Sequence, residues 1–310
     1  LFDFSILLQQ ILNGLVLGSV YALVALGYTM VYGILQLINF AHGDILMIGA
    51  MVAVWLVPML LQAGVPGPVV LIIVTLLAIP VCVGLSIGIE RIAYRPLRNA
   101  PRLAPLITAI GISILLQTMA MIIWKPNPRV FPDLLPTTPV HIFGAILAPK
   151  QILILVVAAL MMGGLMLLVN RTRLGRAMRA TAENPRIAGL MGVNANQVIA
   201  ATFAIGAALA AVAGVLVAMN YNIAQFSMGF IPGLKAFTAA VLGGIGNIPG
   251  AMIGGLLLGI IESLGAGYIG DLTGGFLGSH YQDIFAFAVL ILVLLFRPSG
   301  IMGERVADRA

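Results

Sequence analysis

Residues 171–197 read RTRLGRAMRATAENPRIAGLMGVNANQ, the one long polar interruption in the second half of an otherwise largely apolar chain. The stretch holds Arg171, Arg173, Arg176, Arg179 and Arg186, with Glu183 as its only acid. Its helix punctuation is local. Asn184 suits an N-cap, and Pro185 suits the first helical position, where no N–H partner is needed. Gly192 fits a left-handed stop. Between them Ile187, Leu190 and Met191 recur at i, i+3 and i+4 and make one apolar face. Asn194 with Gln197 reads as a capping box opening the next helix. The expectation is a short amphipathic helix held between two membrane spans. Spacing alone fits two roles: a basic loop that fixes membrane orientation, or a helical knob offering an apolar face to a partner.

The flanks decide the class. The 310 residues are 61% hydrophobic and 8% charged, with a mean hydropathy of +1.12. Such a chain is an all-α polytopic membrane protein whose apolar surface meets lipid. A transmembrane barrel would show short alternating segments instead of long apolar runs. The 36 glycines point to close helix packing and broken helices. The net charge of +6 records loop orientation and implies no nucleic-acid partner. Cys82 is the single cysteine, so neither a disulfide framework nor a Cys-based metal site is expected. Residues 5–26 are too long and glycine-rich for a cleaved signal peptide.

The expected spans are 6–26, 45–61, 69–89, 103–124, 151–169, 195–219 and 281–296, with further apolar stretches at 27–40 and 236–265, a polar-aromatic stretch 220–235 ending near a turn at Pro232-Gly233, and a glycine-rich loop at 266–280. Gly14 with Gly18, and Gly84 with Gly88, have the small-xxx-small spacing of helix contacts. The loop 125–150 carries five prolines before Pro149 and is expected to be extended and exposed. Twelve of the sixteen basic residues fall in 91–102, 171–186 and the tail from Arg297, so these segments are expected on the cytoplasmic side. Lys125, Arg129, Lys150 and Lys235 then lie outside. By that parity, 236–265 begins and ends outside. Thirty helical residues reach about 45 Å, enough for one crossing only. A half-helix entering from outside, a break at 243–250 and a longer returning helix fits. The N-terminal region, with a break at Ala41–Asp44, has the same shape. The expectation is therefore about eight transmembrane helices with two broken or re-entrant segments, in two pseudo-equivalent halves, 1–102 and 195–297. It also places the N-terminus inside.

Several runs then carry a resemblance. They are Asn13-Gly14-Leu15, Leu17-Gly18-Ser19-Val20-Tyr21-Ala22-Leu23, Gly27-Tyr28-Thr29-Met30-Val31-Tyr32-Gly33 and Ile38-Asn39-Phe40-Ala41-His42-Gly43-Asp44. Further runs are Ile89-Glu90-Arg91-Ile92-Ala93-Tyr94-Arg95-Pro96, Gly175-Arg176-Ala177-Met178-Arg179-Ala180 and the glycine-rich 235–255. Together they resemble the high-affinity branched-chain amino-acid ABC transporter permeases, most closely the LivH-type subunit. The resemblance covers nearly the whole chain as one permease domain. It implies an ATP-driven importer with a second, longer permease homologue, two cytoplasmic ATPase subunits and a periplasmic substrate-binding protein. The implied address is the bacterial inner membrane, with 125–150 periplasmic and 171–197 cytoplasmic. The family's coupling loop maps onto Ala182, Glu183, Asn184, Pro185, Ala188 and Gly189, where the docking helix with Ile187 and Leu190 was expected. Asn184-Pro185 stands where the family's usual acid-Ala-Ala opening would be.

No Gly-x-x-x-x-Gly-Lys-Ser/Thr run is present, so the chain is expected to bind no cofactor, with ATP and magnesium used by the partner ATPases. Asn39, His42 and Asp44 at the first break, and Gly246, Asn247 and Pro249 at the second, are the candidates for the translocation path, since polar groups inside lipid need a partner or a wet cavity. For His42 individually, a His–Asp hydrogen bond that ties off loose backbone at the break is the favoured reading. Gly246, Gly250 and Gly254 form one ridge, and Gly255 and Gly259 an adjacent one, for packing or for sliding between subunits. Glu262 is expected at a rim, Asp271 and Asp283 outside facing a binding protein, and Glu90 in a surface pair with Arg91. No metal or nucleophile–base constellation occurs, so no enzyme is expected. Two rivals stay open: a permease of the same family for urea or short amides, and a self-sufficient ion-coupled carrier or channel.

Overall fold

The computed structural model describes residues 4–101, 103–276 and 281–303. Arg102, Arg305, Arg309 and the side chain of Asp271 lie outside what it describes. The helices are α1 (Phe4–Leu35), α2 (His42–Gln62), α3 (Gly67–Ile89), α4 (Leu103–Trp124), α5 (Pro149–Arg171) and α6 (Arg173–Glu183). They continue with α7 (Pro185–Leu190), α8 (Ala195–Tyr221), α9 (Phe230–Gly243), α10 (Ile248–Leu272) and α11 (Gln282–Phe296). Seven described helices are long and apolar enough to cross a membrane; α9 and α11 are shorter apolar helices. Small strands β1 (Arg129–Val130), β2 (Val140–Ile142), β3 (Ala145–Leu147) and β4 (Ile223–Ala224) decorate one end. There β1 pairs with β4 and β2 with β3, both antiparallel.

The two ends of the bundle differ. One carries the arginine-rich segments: Arg98 donates to Asn196 at the start of α8, and Gly244 packs against Gly303. We call it the basic face. The opposite face carries 125–148, the α2–α3 turn and the end of α8, held by Lys150 Nζ donating to the Asn220 carbonyl (3.1 Å) and Asn222 Oδ1 (2.6 Å). The start of α1 also lies there, because Gln9 Oε1 accepts from the Ile146 amide (2.7 Å). The expected N-terminus on the arginine side is therefore corrected. The reason is that α1 runs unbroken to Leu35 and crosses once, where a span followed by an inward half-helix over 27–40 was expected.

The core seam is α1 against α10, antiparallel and nearly backbone to backbone. A Cβ on Gly255 would sit 2.5 Å from Ala22 backbone atoms, and one on Gly18 2.8 Å from Leu256 backbone. Only glycine allows that approach. The neighbouring ridge faces α9: a Cβ on Gly254 would meet the Ala239 carbonyl at 2.1 Å. Both ridges are thus used inside this chain, which removes the expected sliding contact between subunits. Gly84 and Gly88, by contrast, meet nothing within 4 Å, and α4 exposes Leu103, Ile107, Ile114 and Ile122. Those faces are left to lipid or another subunit.

Four further expectations change. The loop 125–150 is not simply extended, since Phe131 is fully buried and β2–β3 forms a hairpin over α1. Pro232-Gly233 lies within the first turn of α9 instead of ending a loop. The glycine-rich segment from Ala266 continues α10 to Leu272. The polar loop holds a second amphipathic helix, α6, whose Thr172 hydroxyl caps it by accepting from the Gly175 amide (3.1 Å).

Candidate translocation and coupling sites

At the basic face, the local punctuation builds α7 as the residues dictate. Asn184 Oδ1 accepts from the Arg186 and Ile187 amides (3.0 and 3.1 Å), with Pro185 at the first position. Gly192 stops the turn at φ +86°, and Asn194 caps α8 by accepting from Asn196 and Gln197. Ala188 turns inward and is buried. Ile187, Leu190 and Met191 stand clear at 57%, 83% and 81% exposure, and Gly189 faces open space. Glu183 is exposed at the end of α6. The result is an apolar tip projecting from a ring of arginines, which can insert into a groove on another protein.

The first break is shifted from its expected place. α1 runs on to Leu35, Gln36 adopts φ 53°, and residues 36–41 lead back toward the middle of the bundle. His42, Gly43 and Asp44 form the first turn of α2 instead of the break itself. His42 packs edge-on to Tyr28 (4.9 Å) against Gly27. Gly27 is eight residues before Leu35, so α2 starts about 12 Å inside the end of α1. Asn39 is structural here: its Oδ1 accepts from Tyr94 Oη (2.7 Å) and the Ala41 amide (3.2 Å), tying off the re-entrant turn. His42 is buried, with Nε2 unpartnered among the described residues, and does not line the hollow that follows.

That hollow has a volume of about 630 Å³ and lies between α1, α2, α4 and α9. Asp44, Gln117, Ser113, Tyr28, Gly229 and Phe230 are on its wall. Asp44 is 2% exposed and accepts from Gln117 Nε2 at 3.0 Å. The first turns of α2 and α9 meet beside it, because a Cβ on Gly43 would lie 2.6 Å from the Gly229 carbonyl. Two helix starts and one carboxylate therefore border a mostly apolar cavity. Such a site can orient a small molecule with an aliphatic body and a polar end. The α9 contribution, Gly229–Gly233, was read as loop because Pro232-Gly233 signals a turn in sequence.

Gly246, Asn247 and Pro249 lie elsewhere, at the basic face. Gly246 and Asn247 border a separate hollow with Tyr32, Gln36 and Ser299. Asn247 Oδ1 accepts from the Gly250 amide (2.8 Å), starting α10, and its Nδ2 donates to the Met302 carbonyl (3.1 Å). Pro249 occupies the first turn of α10. The two groups of candidate path residues are thus not brought together.

Two buried charge clusters were missed. Lys235 is 4% and Glu262 1% exposed, and they pair at 2.7 Å. Asp283 Oδ1 lies 2.6 Å from the same ammonium, and Tyr21 Oη donates to Glu262 Oε2 at 3.0 Å. Glu262 is therefore no rim residue, and Lys235 no exposed one. Glu90 is fully buried and binds Arg95 (2.9 Å) and Arg98 rather than the exposed Arg91. Arg98 in turn reaches Asn196, so this carboxylate joins the end of α3 to the start of α8. Sequence distance hid both clusters; the signal available was that a lone acid in an apolar run needs a cation.

Interrupted helices around a half-open, mostly apolar hollow with a buried carboxylate on its wall, and an exposed apolar tip at one end, define a polytopic membrane permease. Residues 10–294 match the family described as branched-chain amino acid transport system / permease component, and the chain belongs to that family. It is 50% identical to the high-affinity branched-chain amino acid transport system permease protein BraD of Pseudomonas aeruginosa, over 97% of each chain. It is 46% identical to the corresponding LivH protein of Escherichia coli, over 99% of each chain. The Methanocaldococcus jannaschii protein described as "Probable branched-chain amino acid transport permease protein LivH" is 32% identical, over 95% of this chain and 92% of that one.

Proposed function

We propose that this chain is a permease subunit of an ATP-driven importer that carries leucine, isoleucine, valine or related hydrophobic amino acids across the bacterial inner membrane. Its basic face is cytoplasmic by the positive-inside rule, and the opposite face, with the start of α1, is periplasmic. ATP hydrolysis belongs to two partner subunits that dock on Glu183–Leu190. A longer permease homologue pairs with this chain, and a periplasmic binding protein delivers substrate. The chain itself holds no cofactor. Two pseudo-equivalent halves, 1–102 and 195–297, are part of this reading; what supports them is that α2 and α9 meet at their first turns.

The observation that carries the reading is the exposed tip of α7. Ile187, Leu190 and Met191 have no packing role within the described residues, and Arg98, donating to both Asn196 at the start of α8 and Glu90 just after α3, connects the end of their loop to α3. A push on α7 reaches the end of α3 and the Glu90–Tyr94 turn that continues it, where Tyr94 holds Asn39 at the re-entrant turn. ATPase closure would thereby rock α2 and α9 around the cavity beside Asp44. Tight substrate selection is left to the binding protein.

The test is Gly189→Arg. Position 189 faces open space, so the added side chain leaves the fold intact while crowding the docking tip. Gently purified native chain is expected to bring ATPase subunits and a second permease with it, and the variant to lose the ATPases and ATP-driven leucine uptake. A native chain that comes alone and moves leucine in liposomes without ATP defeats this reading in favour of a gradient-driven carrier.

A further inference from the structure

A second hollow of about 240 Å³ opens toward the opposite face, and the mechanism above does not use it. Its wall carries Lys235 and Asp283 beside Tyr21, Leu17, Val20 and Val217. Lys235 Nζ sits between Glu262 Oε1 (2.7 Å) and Asp283 Oδ1 (2.6 Å), and 5.7 Å from the centroid of the Tyr21 ring. Glu262 is saturated by Lys235 and Tyr21 deep in the helix packing. The side chain of Asp283 is 42% exposed, and Lys235 is its ionic partner among the described residues. Among the described residues, two carboxylates thus share one ammonium at the mouth of a half-apolar pocket, one carboxylate more than the cations that face them.

Intramembrane charges that served packing alone would be costly and would balance one another. We infer that this hollow is an entry site for a zwitterionic aliphatic amino acid, with Asp283 taking its ammonium, Lys235 its carboxylate, and Leu17, Val20 and Val217 its side chain. The ligand's ammonium replaces Lys235 as the partner of Asp283, and the freed lysine N–H turns to the ligand carboxylate. Glu262 keeps Lys235 in place throughout and is a positioning residue. Pocket size restricts the ligand to a single amino acid. The inference rests on the importer reading for the substrate class and for the orientation that makes this the entry side.

The experiment is direct binding of radiolabelled leucine to the assembled complex in nanodiscs, without binding protein or ATP, followed by ATP-driven uptake on the same preparation. Saturable binding is expected to weaken at least tenfold in Asp283→Asn. Ile231→Trp fills the hollow while leaving every charge in place, and is expected to weaken binding equally at an unchanged melting temperature. Among competitors, 3-methylbutylamine is expected to displace leucine better than 4-methylpentanoate, because the cluster carries excess negative charge. No leucine binding by the native complex, native-like binding by Asp283→Asn, or stronger displacement by 4-methylpentanoate than by the amine would overturn the site. Uptake without direct binding sinks this site and keeps the importer. Binding without ATP-driven uptake keeps the site and sinks the importer.

Discussion

At the first interruption the chain leaves α1 at Leu35 and resumes helix at His42, beneath a half-open hollow with the buried Asp44 on its wall. At the second it leaves α9 at Gly243 and resumes at Ile248, against its own C-terminal segment, where the Ile301 and Met302 amides donate to the Leu242 and Gly243 carbonyls (both 2.9 Å). Each break must satisfy backbone groups that a continuous helix would have paired. The first does so with side chains, its own Asn39 held by Tyr94 in the Glu90–Tyr94 turn after α3, and can change when that segment moves. The second does so with backbone and an N-cap, and is pinned. An interruption is a moving part only where its partners belong to elements that themselves move.

The comparison depends on both breaks being hung from one rigid seam, and the largest predicted effect removes it. Gly255→Val places side-chain atoms inside the Ala22 backbone contact at 2.5 Å, with no flexible neighbour to yield. Overpacking of this kind costs roughly 1–3 kcal/mol even in adaptable cores, and here the clash is with backbone. The expected outcome is loss of monodisperse protein on size exclusion. The equivalent change at Gly84, which faces open space on α3, is expected to leave the monodisperse yield of the isolated chain unaltered. Equal yields for the two variants would mean that the α1–α10 seam does not hold the breaks.

Much of this was legible in the sequence where the deciding groups are close together along the chain. The caps of α7 and α8 lie within three residues of the amides they serve, so Asn184, Pro185, Gly192 and Asn194 could be read directly. Gly14 and Gly18 announced a close neighbour without naming it. The position of the first break was misjudged because Leu37, Ile38 and Phe40 are as apolar as helix residues, while the left-handed turn at Gln36 has no sequence signal of its own. The Lys235–Glu262–Asp283 cluster was invisible because α9, α10 and α11 bring together residues that sit in separate apolar runs. The cavity was half legible: Asp44 was picked out as a polar group in lipid, but its partner Gln117 lies on α4, 73 residues away.

Asp44→Asn sharpens the contrast at the first break. The amide keeps the shape and the contact with Gln117 but removes the charge facing the cavity. ATP-driven leucine uptake in proteoliposomes is expected to fall about tenfold, corresponding to about 1.4 kcal/mol in the rate-limiting step, with the thermal midpoint little changed. Unchanged uptake would remove Asp44 from the path and leave the first break as structural as the second.

Asn247→Ala is the matching change at the second break and carries the smallest effect. It deletes the cap on the Gly250 amide and the tie to the Met302 carbonyl. Loss of an N-cap costs about 1 kcal/mol, and the tail remains held by the Ile301 and Met302 amides. A lowering of the unfolding midpoint by a few degrees is expected, with leucine uptake per folded molecule within a factor of two of the native chain. An uptake loss as deep as that of Asp44→Asn, at an unchanged midpoint, would show that the second break moves during transport. The pinning by the C-terminal segment would then be a latch that opens in each cycle.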